Sequence, residues 1–344
     1  MVRSAGSGRP TLAMVARAAG VSVPTASKVA NGREDVAPET RRRVTEVLER
    51  LGYVPRPQPA ARQPPALIDL VVHDLASPWS GAVLLGVDEA AHEAGLGVVI
   101  SAAATAARGG QPPRGWLDRL STRGSAGVLF NVTELDAAQH AWLAHHRIPF
   151  VMIDPVVEPP AGVPSVGATN WQGGVSATEH LIGLGHERIA VIGGHRRKAC
   201  SAGRVAGYRS AMSAAGLAVP PGYVRYGSFE ETGGRRQMRE LLALPQPPTA
   251  VFVCSDQMAL GAGLAVRERG LRVPRDVSIV GFDDLPQAEW ATPALTTVRQ
   301  PLSEMAAAAL RILLRLLDGH RPEGTRTELS TRLVVRGSTA PPAA

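Results

Sequence analysis

The chain has 344 residues, 44% of them apolar, and a formal net charge of +7. That length and composition exclude a single small domain and a disordered polyelectrolyte, and predict two or three globular domains with sizeable cores. No run of about 18 apolar residues is present, so no membrane-spanning helix is expected, and the opening MVRSAGSGRPTLAM lacks the apolar stretch of a secretory signal. Cys200 and Cys254 stand far apart without CxxC spacing. They fit a reducing cytoplasm and exclude a cysteine metal site. Residues 1–63 carry 11 Lys and Arg against 5 Asp and Glu, whereas the remainder carries 26 against 25. The basic excess is therefore local, as a phosphate-binding surface requires.

Residues 1–10 read as a tail, and organised sequence begins at Thr11. Leu12, Val15, Ala16 and Ala19 make one apolar helical face, with Thr11 able to cap the start and Gly20 the end. Val21 and Ser22 lead into a second short helix, with Ser22 as N-cap and Pro24 in its first turn. A third helix follows Pro38, with Val44, Val47, Leu48 and Leu51 inward, Arg41, Arg42 and Arg43 outward, and Gly52 at its end. Two short helices joined by a tight turn predict a helix-turn-helix, whose second helix enters the DNA major groove. Its exposed side carries Ser22, Thr25, Ser27, Lys28 and Asn31, groups able to reach bases and phosphates. A plain helical subdomain with a solvated polar face has the same spacing.

The stretch TLAMVARAAGVSVPTASKVANG followed by VAPETRRRVTEVLERLGYVP closely resembles the DNA-binding headpiece of the LacI/GalR family of bacterial transcription regulators. The resemblance implies that Thr11, Leu12, Ser22, Val23, Pro24, Thr25, Ser27, Lys28, Asn31 and Thr40 hold the DNA-contacting positions. Val23, Pro24 and Lys28 fall where that family varies its operator preference, and Val23 suits a thymine methyl. Residues 55–65, PRPQPAARQPP, predict an extended proline-rich hinge over 55–66. The family has a short hinge helix here with a leucine wedge. In this chain Pro57, Pro59 and Pro64 oppose that helix, and Arg62 stands nearest the leucine position. Arg56 and Arg62 are thus expected to contact a narrow minor groove or phosphates.

From Leu67 short apolar strands alternate with helices: LIDLVV, GLGVVIS, AGVLFNV and IPFVMID, then SVGAT, RIAVIGG, TAVFVCS and SIVGFDD. Such spacing predicts parallel sheets built of βαβ units. The expected architecture is an N-terminal all-α helix-turn-helix headpiece (11–54) plus an α/β unit (67–338) of two doubly wound subdomains, similar to periplasmic binding proteins. The first lobe is expected at about 67–164 and 296–325, the second at about 165–295 and 326–338, and a tail at 339–344. Ligands bind at the carboxyl ends of such strands. Asp74 and Trp79 follow the first strand, Asn131 ends the third and Asp154 the fourth; Ser255 and Asp256 follow VFVC, and Asp283 follows SIVGF. Vicinal hydroxyls need such planar partners, and a sugar's C–H face needs an aromatic ring. The resemblance implies that Arg204 and Asp283 clamp the effector, with Phe229 and Asp256 lining the second lobe. Any one Asp could instead cap the helix after its strand, and Trp79 could serve stacking or subunit packing.

Other motifs carry less. GATNWQGG (167–174) lacks phosphate-loop spacing, GAG at 261–263 reads as a close-packing site, and His140, His145 and His146 read as a solvated face rather than metal ligands. No catalytic set such as GxSxG occurs. No enzyme, cofactor or metal is expected. One headpiece grips one half-site, so a homodimer on a pseudo-palindromic double-stranded operator is expected. The whole reads as a cytoplasmic transcription regulator, most simply a repressor, controlled by a small molecule. A sugar such as xylose or a xylo-oligosaccharide is expected. A sugar-binding transport component or a two-domain sugar-processing enzyme are the rival readings.

Overall fold

The computed structural model describes residues 10–30, 36–53, 66–103, 114–320 and 324–343. The chain divides into two compact units, Met1–Pro64 and Pro65–Ala344. In the first, α1 (Leu12–Ala19), α2 (Val23–Ala30) and α3 (Pro38–Leu51) share one small core of Val15, Ala16, Ala19, Ala26, Val29, Val44 and Val47. Gly20 ends α1 at φ 62°, a conformation that costs a residue with a Cβ. The Ser22 hydroxyl accepts the Thr25 N–H at 3.3 Å and caps α2. Thr11 stands before α1, but its hydroxyl makes no cap bond. Its carbonyl accepts from Met14 and Val15 instead.

The second unit holds two six-stranded sheets. The first comprises β1 (Leu67–Val72), β2 (Gly97–Ala102), β3 (Gly127–Asn131), β4 (Phe150–Ile153), β5 (Ser165–Ala168) and β11 (Arg326–Leu329). They lie in the order β11-β5-β4-β3-β1-β2, all neighbours parallel. The second comprises β6 (Ile189–Gly193), β7 (Val224–Tyr226), β8 (Ala250–Val253), β9 (Ser278–Asp283), β10 (Thr296–Arg299) and β12 (Arg332–Val334). Its order is β12-β10-β9-β8-β6-β7, with only the β10–β12 pair antiparallel. The central strands are buried along their length because helices cover both faces. In the first lobe α4 (Pro78–Glu93) and α12 (Leu302–Leu317) press Val83, Val87, Met305, Ala309 and Leu313 onto one face. On the other face α5 (Arg114–Arg123) and α6 (Ala137–His145) bring Trp116, Leu120 and Leu143. In the second lobe α7 (Asn170–Gly183), α8 (Ala199–Ala214), α9 (Glu231–Leu242) and α10 (Asp256–Glu268) close a single larger core.

The eight strand runs read from the sequence form β1–β6, β8 and β9, whereas β7, β10, β11 and β12 are not read as strands there, and three segments belong to the other lobe. SVGAT forms β5 and extends the first lobe, β10 belongs to the second, and β11 returns to the first. Apolar texture marks a strand without saying which sheet it joins. The lobe changes therefore fall at Thr169, at Gln300–Pro301 and at Ser330–Thr331. Two of these crossings are stitched together. Thr331 N–H donates to the Thr169 hydroxyl at 2.9 Å, and Thr169 N–H to the Leu329 carbonyl at 2.9 Å.

The expected tail at 339–344 also needs correcting. Ser338 donates its hydroxyl to the Ile279 carbonyl at 2.6 Å, and the Ala340 carbonyl lies 2.9 Å from His186 Nε2. Small polar residues hid these anchors. Among the described residues no helix is long and apolar enough to cross a membrane.

Candidate functional site

The cleft between the lobes is built around Arg204, which is 2% exposed. Glycines place it. A Cβ on Gly174 would stand 2.2 Å from the Arg204 carbonyl oxygen, and one on Gly207 would stand 2.1 Å from that of Trp171. Helices α7 and α8 thus touch backbone to backbone. The Arg204 Nε donates to Asn170 Oδ1 at 2.7 Å and Nη1 to the Cys254 carbonyl at 2.7 Å. The same Nη1 is 3.5 Å from Asp283 Oδ1, an ion pair longer than a strong hydrogen bond. The guanidinium also lies 3.7 Å from the centre of the Phe282 ring.

Asp283 is held at φ 120°, and its Oδ1 accepts from Gln300 Nε2 at 2.7 Å. Burial pushes its carboxyl up to about 6, against the pull of Arg204. Across the cleft, Asp154 (φ 46°) is also buried, and burial raises its carboxyl while Arg204 and Lys198 oppose. Burial depresses the His73 imidazole at the end of β1, and Lys198 of the opposite lobe depresses it further. Asn131 is fully buried, and neither its amide nitrogen nor its oxygen finds a partner. Gln300 Oε1 and the hydroxyls of Thr133 and Ser201 are likewise buried and unpartnered. Unpaired buried polar groups are costly, and those of Asn131, which ends β3, and Gln300, just after β10, stand at strand ends, where ligands of such folds bind. Among the described residues, six other than glycine have positive φ, and all but Arg147 (Val132, Asp154, Phe229, Asp283 and Asp284) lie at or within three residues after a strand end. Strained backbone of this kind gathers at ligand sites.

The sequence-derived ligand set divides. Asp154, Arg204 and Asp283 converge as described, and Asn131 stands at the end of β3, paired with Ile153 of β4. Phe229 (φ 66°) packs its ring onto Gly194, with Lys198 Nζ 5.2 Å above the ring centre. Trp79 packs against the first-lobe core. Asp74 is exposed and its carboxylate accepts the Ala76 N–H. Ser255 is taken up in capping α10 through Met258 N–H.

Asp256 needs the clearest correction. Its two oxygens accept from Leu285 N–H at 2.8 Å and the Thr297 hydroxyl at 2.5 Å, so it fastens the loop that carries Asp283. Each oxygen is already engaged and the residue is fully buried, so its role in the structure is to hold that loop. Sequence reasoning missed Asn170 and Gln300. Each is a polar residue just beyond a strand, and that signal was available.

Gly261 is a close-packing site, since its Cβ would meet the Glu231 carbonyl at 2.0 Å, whereas Gly263 faces open space. His146 stacks on Trp142 with ring centres 3.8 Å apart. Among the described residues no cluster of His, Cys, Asp or Glu is placed to hold a metal.

In the first unit Ser22, Val23, Pro24 and Lys28 are exposed along α2, with Val23 at 46%, and Thr25 and Ser27 are half-buried. Thr11 is exposed and Thr40 half-buried, while Leu12 leans on the headpiece core. Asn31, Arg56 and Arg62 lie outside the described residues.

A helix-turn-helix unit followed by a two-lobed unit with a polar interlobe cleft defines a ligand-responsive DNA-binding regulator. Residues 11–56 match the family described as bacterial regulatory proteins, lacI family, and residues 178–339 match the periplasmic binding protein-like domain. The HTH-type transcriptional regulator CelR of Thermobifida fusca is 37% identical over 340 residues, covering 96% of this chain and 98% of that protein. The HTH-type transcriptional repressor CytR of Escherichia coli K12 is 32% identical over 332 residues, covering 96% of both. A solved transcriptional regulator CelR–cellobiose complex superposes with a TM-score of 0.71 at 36% identity, covering 96% of this chain and 100% of that one. The Lac repressor dimer bound to operator and the anti-inducer ONPF gives 0.73 at 29% identity, covering 97% and 100%. The chain belongs to the LacI family of bacterial transcriptional regulators. These relatives are regulators rather than enzymes or transport components, which removes both rival readings.

Proposed function

We propose that the protein is a cytoplasmic repressor that binds a pseudo-palindromic operator as a homodimer and is controlled by a sugar held in the interlobe cleft. Asn131, Asp154, Arg204 and Asp283 hold the sugar, with Phe229 lining its far side and Asn170 and Gln300 fixing the clamp. The observation that carries this reading is the set of buried polar groups without partners at strand ends, above all the Asn131 amide at the end of β3 and Gln300 Oε1 on the side chain that donates to Asp283. Carboxylate, amide and guanidinium groups suit the adjacent hydroxyls of a pyranose. The cellobiose complex of the similar CelR supports a sugar, and xylose or a xylo-oligosaccharide is the alternative of the same class. The operator-bound Lac repressor dimer supports a two-headed grip on DNA. Thr11, Leu12, Ser22, Val23, Pro24, Thr25, Ser27, Lys28, Asn31 and Thr40 make the DNA contacts, with Arg56 and Arg62 following the backbone or minor groove. Sugar binding changes how the lobes close and so which DNA-binding arrangement is favoured.

The test is a gel-shift titration with DNA upstream of the protein's own coding region, with and without xylose, xylobiose and cellobiose. Salt-sensitive, sequence-specific binding that one of these sugars releases supports the reading. Binding strengthened by sugar keeps the class and reverses the sign of control. Specific binding that no sugar alters removes the sugar.

A further inference from the structure

Beside the clamp lies a second cavity of about 290 Å³. Its inner wall is formed by Asp154, Asn170, Cys200 and Gly203. Asn170 is the residue that accepts from Arg204 Nε, so this cavity shares a wall residue with the clamp. Its outer wall carries the Trp171 indole, 45% exposed, and Arg326, which is paired with Glu158 at 2.9 Å and Glu328 at 2.6 Å. First-lobe residues 154–168 face second-lobe residues 170–203 across it.

Two observations point to a ligand. Asp154 is nine-tenths buried on the inner wall, yet no described residue donates a hydrogen bond to its side chain. Trp171 has its backbone clamped by the tight approach of Gly207, but leaves its ring in the open. A half-exposed indole on a fixed backbone beside a buried acceptor is an arrangement that takes a pyranose ring, whose C–H face stacks on the aromatic while its hydroxyls donate to the carboxylate. The cavity's volume is at the small end for ligand pockets, which suits one ring rather than a whole ligand.

We propose that this cavity is a second sugar-ring subsite, so that the effector is a disaccharide or longer oligosaccharide. One ring sits on Arg204 and Asp283, and the next stacks on Trp171 and bonds to Asp154. The inference rests on the sugar reading above and adds chain-length selectivity to it. Trp171 is then the residue that separates an oligosaccharide from its own monosaccharide.

The experiment is calorimetric titration of the full-length protein with xylose, xylobiose and xylotriose, and with glucose, cellobiose and cellotriose. In one series the disaccharide is expected to bind about tenfold or more tightly than the monosaccharide. Trp171→Ala is expected to erase that gain and leave monosaccharide affinity unchanged, while Trp171→Phe keeps most of it. Equal affinity for one ring and two in the wild type overturns the subsite. So does a Trp171→Ala protein that weakens both alike. If no sugar in either series binds the wild type, the sugar reading itself falls and takes the subsite with it.

Discussion

Arg204 and Asp283 meet at the cleft floor from positions 79 residues apart, one on α8 and the other ending β9. Phe282, the residue before Asp283, also supplies the ring beneath the guanidinium. The pair makes the ligand site and also ties a helix to a strand. Arg204→Ala leaves Asp154 and Asp283 buried without their cation, a change that typically costs about 3–5 kcal/mol. Urea denaturation is expected to show that loss in the second unit. Gel shifts are expected to show operator binding that no longer responds to sugar. The double variant Arg204→Ala with Asp283→Ala should recover part of the stability, since the two effects are coupled.

The raised carboxyl of Asp283 has a definite sign in stability. The folded protein holds this proton up to about 6, whereas the unfolded chain releases it near the ordinary aspartate value of 3.8. Its favourable contribution is complete below pH of about 4 and lost as the pH rises through about 6. Asp154 acts in the same direction. Asp283→Asn removes this dependence. The difference in urea midpoint between wild type and variant, followed from acid to neutral pH, should therefore change across that window. A constant difference would refute the assignment.

Gly174 tests whether Arg204 is positioned by helix packing. The Cβ of Gly174→Ala meets the Arg204 carbonyl at 2.2 Å, a backbone atom that cannot swing away. Overpacking of this kind costs about 1–3 kcal/mol. The variant is expected to unfold earlier and to bind effector more weakly, although Gly174 touches no ligand. Gly263→Ala, in open space within α10, serves as the control: it should leave effector binding unchanged and raise stability by about 0.5–1 kcal/mol.

His186 latches the last residues onto the second lobe. Its ring nitrogens face Thr249 Oγ1 at 2.9 Å and the Ala340 carbonyl at 2.9 Å, and burial lowers its basicity. The unfolded chain therefore takes up this proton more readily, and the contribution of His186 is lost as the pH falls below about 6.5. His186→Ala is expected to cost about 1–3 kcal/mol at neutral pH. It should also flatten the acid-side decline and expose Ser338–Ala340 to carboxypeptidase digestion.

Helix faces, caps and strand runs were legible because each is set by local periodicity. The Gly20 and Gly52 terminators and the Ser22 cap could be read residue by residue. Sheet membership was not, since SVGAT and TTVR look alike whichever lobe they join. The clamp was visible only in part. Arg204 and Asp283 carry a family pattern, but the use of Asp256 depends on Leu285 and Thr297 arriving from elsewhere in the chain. A carboxylate's free oxygens are a tertiary fact. Gly174 of GATNWQGG, read only as part of a poor phosphate loop, proves to be where α7 approaches α8, while Gly173 makes room for the Phe282 ring.

The order in which the strands occur also sets a schedule for synthesis. The first lobe's outermost strand, β11, and the second lobe's, β12, both come from residues 326–334, joined through the stitched crossing at Thr169 and Thr331. Domains commonly fold one after another as they leave the ribosome. Here neither sheet can gain its final edge until residues 326–334 have been translated, whereas the three-helix unit has its core partners by residue 53. The DNA-reading part is thus able to fold long before the part that restrains it, and a nascent or prematurely terminated chain would carry a headpiece without its control.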